Sequence, residues 1–158
     1  LDENEIFENE DAHKDKYLIF SVGEASYGIP IRSVIEIIGI EEITQLPELP
    51  IYVKGIINLR GRIIPVMDAR LRFRKEEREY DDRTCIIVIE IENVVFGLIV
   101  DNVKEVAGID EANISPPPNI SRDEDFACGF IEAIGKAGQN ILLLIDCKRL
   151  LNNNELDD

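Results

Sequence analysis

The side chains that could do covalent chemistry in this chain are few and badly spaced for it. The single histidine, His13, sits in an acidic leader, "LDENEIFENEDAHKDK". Ser-His-Asp and Cys-His sites need an imidazole held beside the nucleophile, so catalysis of that type is excluded. The three cysteines, Cys85, Cys128 and Cys147, form no C-x-x-C pattern and stand in apolar surroundings, "CIIVI", "ACGFI" and "LIDCK". They read as small core hydrophobes of a reducing compartment, neither a disulfide framework nor a zinc set. The glycines never cluster as GxxxxGK or GxGxxG, and "GKAGQN" at 135–140 is a polar hairpin turn, so no phosphate cradle is indicated. Paired carboxylates remain arithmetically available among 32 acidic residues. Hydrolases of that kind work in aromatic-lined clefts, and this chain has no tryptophan and 6% aromatic residues. The expectation is a protein without catalysis, cofactor or metal.

What remains is recognition, and one residue stands out for it. Residues 54–68 read "KGIINLRGRIIPVMD", two apolar runs facing each other across Asn-Leu-Arg-Gly. Acidic residues outnumber basic ones 32 to 17, yet this hairpin carries Arg60 at its tip. A guanidinium on a rigid hairpin offers five donors in a fixed fork to carboxylates or helix-end carbonyls. The plainer alternative is a solvated turn residue beside a needed glycine. Nucleic acid is not an expected partner, because the acidic body lacks the Lys/Arg stripe that neutralises phosphates.

The elements that must position Arg60 are mostly strands. Short β-branched runs occur at 17–22, 27–31, 55–58, 62–67, 85–91, 94–100, 129–134 and 141–145, divided by Gly, Asn or charged turns. Asp68 and Asp146 each can cap a short helix, "DARLRF" (68–73) and "DCKRLL" (146–151), although both could equally be loops ending a strand. The pattern runs twice. "YGIPIRSVIEIIGI" (27–40) lies against "FGLIVDNVKEVAGI" (96–109), matching Gly28 to Gly97, Val34 to Val103, Glu36 to Glu105 and Gly39 to Gly108. The match continues through "GIINLRGRIIPVMDARL" (55–71) and "GFIEAIGKAGQNILLLIDCKRLL" (129–151).

A unit of about five short strands is too small to hide both faces of an open sheet, so each is expected to curl into a small barrel. The architecture predicted is all-β: two tandem five-stranded barrels with short helical turns, spanning 17–151. The sequence repeats cover about 17–72 and 85–151, with a charged linker at 73–84. Strands can cross between lobes, so repeats and lobes need not coincide. The leader 1–16 and the tail 152–158 carry about half of the net charge of −15 and are expected to be disordered, solubilising ends. The longest apolar run, "ILLLI", is far short of the ~20 residues of a membrane helix. Direct membrane insertion is therefore not expected, and the cytoplasm is the default location.

The run "GIINLRGRIIPVMD", preceded by "VIEI" and "ITQLPELP" and followed by "GLIVDNVKEV" and "ILLLID", resembles the CheW family of bacterial chemotaxis coupling proteins, in order across 17–151. The resemblance implies SH3-like barrels and a non-covalent function. Such an adaptor holds the cytoplasmic tip of a methyl-accepting chemoreceptor with one surface and the regulatory domain of a CheA-type histidine kinase with another. It implies a receptor face containing Arg60, Val34 and Glu36. Ile31 and Ile37 flank that face as contacts or as ordinary core residues, and Val103 stands as the second repeat's counterpart of Val34. It places the kinase-facing surface on the second barrel, near Ile86 and Gly97, where either Ile86 or Ile87 must face the core. The protein is then a monomer when isolated, recruited to membrane receptor arrays. The alternative is a CheW-like domain excised from a CheV-type or kinase parent, which a chain opening on Leu1 leaves open.

Overall fold

The structure is a computed structural model and describes residues 16–117 and 129–151. His13, Cys128, the tail and all of the leader except Lys16 lie outside the described residues. The first repeat supplies β1 (Lys16–Val22), β2 (Ala25–Pro30), a 3-10 turn (Ile31–Ser33), β3 (Val34–Gly39), β4 (Val53–Leu59), β5 (Arg62–Asp68) and α1 (Ala69–Arg72). The second supplies β6 (Cys85–Ile91), β7 (Val94–Val100), β8 (Asn102–Gly108), a 3-10 turn (Glu111–Asn113), β9 (Ile114–Ser115), β10 (Ile131–Ala137), β11 (Asn140–Ile145) and α2 (Cys147–Leu151). Both short segments expected after Asp68 and Asp146 are helical. Asp68 caps α1 by accepting from Arg70 N at 2.8 Å, and Asp146 accepts from Lys148 N at 3.0 Å.

The strands form two curled sheets of the all-β, SH3-like kind, ordered β8-β1-β2-β11-β10-β9 and β3-β6-β7-β5-β4. Neither is built from one repeat. The first repeat lends its opening hairpin, β1–β2, to the six-stranded sheet, and the second lends β6–β7 to the five-stranded one. Each loan is sealed by a parallel pair: β5 with β7 sets Val66 opposite Gly97, and β11 with β2 sets Leu144 opposite Gly28. The repeat glycines thus share one task, a close strand-to-strand approach.

The two approaches differ in tightness. A Cβ on Gly97 would stand 2.7 Å from Ile86 Cγ2 and 2.8 Å from Val66 Cγ1, both on stiff branched side chains. On Gly28 it would meet Leu144 Cδ2 at 3.0 Å, the far end of a more flexible side chain. Gly97→Ala is therefore expected to destabilise by about 1–3 kcal/mol, the range for overpacking a filled core, and Gly28→Ala by less. Denaturant titration of the two variants measures the order, and equal losses would contradict the packing difference.

Among the described residues three apolar clusters follow from this exchange. Ile57, Ile64, Val66, Ile86, Val88, Val95 and Ile99 fill the five-stranded barrel. Ile19, Ile109, Leu142 and Leu144 fill the six-stranded one. The largest cluster lies between the barrels, where Leu18, Phe20, Tyr27 and Ile29 meet Ile87, Ile89, Phe96 and Leu98. Strands β6 and β7 are consequently buried on both faces. The choice posed for "CIIVIEI" between Ile86 and Ile87 does not arise, since both are 0% exposed. Arg72, buried in α1, donates to Arg149 O and Leu150 O of α2, tying the ends of the two repeats together.

Residues 73–84 hold neither helix nor strand, but they are fastened. Tyr80 donates to Asp68 Oδ2 at 2.7 Å, and Arg70 donates to Glu76 O at 3.0 Å. Asp101 receives Arg70 Nε and Nη2, each at 2.9 Å, and the Gly23 N–H at 2.8 Å, with Arg78 alongside. Burial pushes the Asp101 carboxyl up. The hydrogen bonds from Arg70 and Gly23 and the guanidinium charges outweigh it, leaving the pKa below the ordinary aspartate value. A carboxylate depressed on folding stabilises above its unfolded pKa of about 3.9, and that contribution is lost as pH falls through the folded value. Asp101→Asn is expected to lower stability by about 1–3 kcal/mol near neutrality, as for an unsatisfied donor. The deficit should shrink below about pH 4. Unfolding curves at several pH values check this, and a deficit independent of pH would remove the ion pair from the account.

Candidate functional site

The β4–β5 hairpin turns on two residues, Arg60 and Gly61, with Leu59 paired to Arg62. Both have positive φ, 51° and 86°, the signature of the type I′ turn that suits the twist of a hairpin. Gly61 has nothing within 4 Å of a built Cβ, so its glycine answers to backbone conformation alone. Asn58 Oδ1 accepts the Gly61 N–H at 2.8 Å.

From this tip the Arg60 guanidinium reaches Glu36 on β3 with a two-pronged contact, Nη1 to Oε2 at 2.5 Å and Nη2 to Oε1 at 2.7 Å. Strands β3 and β4 stand at opposite ends of the sheet order, so this pair bridges the two ends of the curled sheet. The hydrogen bond from Arg60 holds the Glu36 carboxyl below the usual glutamate value against some burial, and the same bond raises Arg60. Neither group is poised to exchange a proton near neutrality. The Arg60 side chain remains 72% exposed, which leaves it available to a partner.

Among the described residues strand β3 pairs only with β6, and its register slips between Val34 and Glu36. The resulting bulge at Ile35 lets Val34 pack against the interlobe core while Ile38 packs into the five-stranded barrel. It leaves Ile35 and Ile37 exposed on either side of Glu36. Of the two alternatives for the flanking isoleucines, Ile37 takes the surface one. Ile31, in the 3-10 turn between the lobes, is buried in the shared core, the ordinary core position that was its other reading. Val103 lies on β8 in the other sheet, opposite Phe20, and is half-buried against the same interlobe core as Val34.

The two residues expected to face a kinase require correction. Ile86 and Gly97 are buried, and they lie on β6 and β7 in the same barrel as Glu36 and Arg60. The physical reason is the strand exchange, which carries β6–β7 away from the rest of its repeat and wraps both its faces in apolar side chains. Ile86 and Gly97 are enclosed within the fold and present no exposed surface.

Other surface features escaped the sequence reading. Leu46, Leu49 and Ile51 are exposed on the segment joining β3 to β4. The prolines of "LPELP" were the available sign, since a run so interrupted cannot enter a sheet centre. Cys147 is buried and its thiol is pushed up to about 12 by burial and the nearby Asp146, so it carries no thiolate. Among the described residues no cluster of His, Cys, Asp or Glu is arranged to hold a metal. No helix among them is long and apolar enough to cross a membrane.

Comparison with known proteins agrees with this geometry. The family described as CheW-like domain matches residues 16–155. The chain is 34% identical over 141 residues to the chemotaxis protein CheW of Klebsiella aerogenes, covering 89% of this chain and 84% of that one. It is 34% identical over 139 residues to CheW of Bacillus subtilis, covering 87% of each. The crystal structure of the scaffolding protein TtCheW from Thermoanaerobacter tengcongensis superposes with a TM-score of 0.81 at 39% identity, over 89% of this chain and 94% of that one. With the match extending through both interleaved barrels, the chain belongs to the CheW-like family.

Proposed function

We propose that this chain is a non-enzymatic adaptor of bacterial chemotaxis signalling, coupling methyl-accepting chemoreceptors to a CheA-type histidine kinase. The observation that carries the reading is the Arg60–Glu36 pair. It is a cation fixed in direction by a two-pronged contact, largely exposed, and flanked by exposed Ile35 and Ile37 on an edge strand. That combination suits a helical receptor tip, which offers carboxylates and apolar ridges side by side. Val34 and Val103 support the reading from the border of the interlobe core. Ile86 and Gly97 enter it as interior supports of β6 and β7, acting on a kinase surface only through the strands they hold.

The protein works in the cytoplasm as a monomer that joins membrane-bound receptor arrays. There, modest contacts gain from high effective concentration. Receptor state alters kinase activity only by the difference in contact energy between signalling states, typically about 1–3 kcal/mol. The test is reconstitution of this protein with a receptor cytoplasmic fragment and a CheA-type kinase. A sedimenting ternary complex with receptor-dependent autophosphorylation is expected. A protein that binds neither partner, or a kinase equally active without it, would reject the adaptor reading.

A further inference from the structure

The Arg60–Glu36 pair depends on a turn conformation that side chains resist, because a non-glycine residue at positive φ is uncommon. The described residues contain four hairpins closed by two-residue loops: Gly23-Glu24, Arg60-Gly61, Glu92-Asn93 and Gly138-Gln139. Two of them place glycine first, where φ is positive. The Arg60 hairpin places the functional side chain there instead. The residue two positions before each loop is Ser21, Asn58, Glu90 or Lys136. Among these, Asn58 alone returns a side-chain hydrogen bond to its turn, Oδ1 to the Gly61 N–H at 2.8 Å. That bond fixes the residue after Arg60 and so restricts the backbone from which the guanidinium projects. Asn58 is itself exposed and lies opposite Ile63, so no core packing accounts for its type.

We propose that Asn58 is a positioning residue for Arg60, locking the left-handed turn so that the guanidinium stands preformed against Glu36 and meets the receptor in one geometry. The receptor half of this statement rests on the adaptor reading above, and the positioning half does not. A preformed donor fork loses less freedom on binding than a mobile one, which is how a residue outside the contact can set affinity.

The experiment separates the two halves. Titration of Glu36 in the isolated protein, followed by NMR of its carboxyl carbon, reads whether Arg60 is held in place. In wild type the midpoint should lie below the ordinary glutamate value; in Asn58→Ala it should move back toward that value, with the melting temperature little changed. Asn58→Asp, which keeps an acceptor oxygen, should stay near wild type. In receptor binding, Asn58→Ala should weaken affinity several-fold when Arg60 is present and add nothing to Arg60→Ala. A Glu36 midpoint unmoved by Asn58→Ala overturns the positioning role, as does a variant that fails to fold. A midpoint that moves while receptor affinity does not keeps the positioning role and rejects the receptor reading.

Discussion

An aspartate placed at Ile86 is expected to remove the folded state, and with it every binding activity at once. Ile86 is 0% exposed within a cluster of aliphatic side chains from β4, β5, β6 and β7. Losing the isoleucine alone costs about 2–5 kcal/mol as judged from truncations to alanine. Burying an unpaired carboxylate adds several kcal/mol more, or forces it to take up a proton. The sum rivals the ~5–15 kcal/mol that holds a domain of this size together. Circular dichroism and thermal melting of Ile86→Asp would show an unfolded or molten protein. Ile86→Val, which keeps the branched shape, should lose only about 0.5–1.5 kcal/mol. A folded Ile86→Asp protein that had lost kinase binding alone would place the side chain outside and contradict the packing of β6.

Arg60→Ala is expected to do the opposite, costing function and sparing the fold. The arginine side chain is largely exposed, and alanine at the same positive φ meets the same backbone constraint, so the turn gains no new strain. Glu36 loses its partner but keeps access to water, its side chain being 22% exposed. Receptor-tip affinity should fall about 10- to 100-fold, the range of an interface anchor, while kinase affinity and melting temperature stay near wild type. Arg60→Lys should recover only part of the loss, because an ammonium cannot reproduce the two-pronged contact. Isothermal titration against a receptor fragment and against the kinase regulatory domain reads both affinities. Equal weakening of the two partners, or a large drop in melting temperature, would make Arg60 a structural residue.

The pairing of Glu36 with Arg60 supports a third expectation: their substitutions should not be additive in receptor affinity. Removing either partner already releases the other, so the double variant should differ from the product of the singles by about twofold or more. Additivity in that cycle would mean that each side chain meets the receptor alone.

Much of this protein was legible in local pattern. The hairpin was visible because apolar alternation on both sides of Asn-Leu-Arg-Gly admits one tight turn, and that turn puts Arg60 at its tip. The two short helices were legible only as one of two alternatives, since Asp68 and Asp146 can each cap a helix or end a strand in a loop, and the structure takes the helical one at both. The internal repeat was visible in the glycines, whose reason became clear only from Val66 and Leu144 opposite them. The edge strands β3 and β8 were harder. In β3 burial alternates but polarity does not, because the exposed positions include Ile35 and Ile37 with Glu36 between them, and β8 carries Lys104 and Glu105 side by side, so neither shows the alternating polarity of a half-buried strand.

The tertiary structure alone decided which barrel each hairpin joins and which way Ile86 points. A strand buried on one face writes its orientation into alternating polarity, but "CIIVIEI" is wrapped by a barrel core on one side and by the interlobe core on the other. Its apolar run therefore carries no sign of direction. The exchange of β1–β2 and β6–β7 depends on two parallel pairings between residues far apart in the chain. Backbone hydrogen bonds of that kind are indifferent to side-chain type. The amino-acid sequence specifies them only through the space that Gly28 and Gly97 leave for a neighbouring strand, and that space has meaning only once the strand is there.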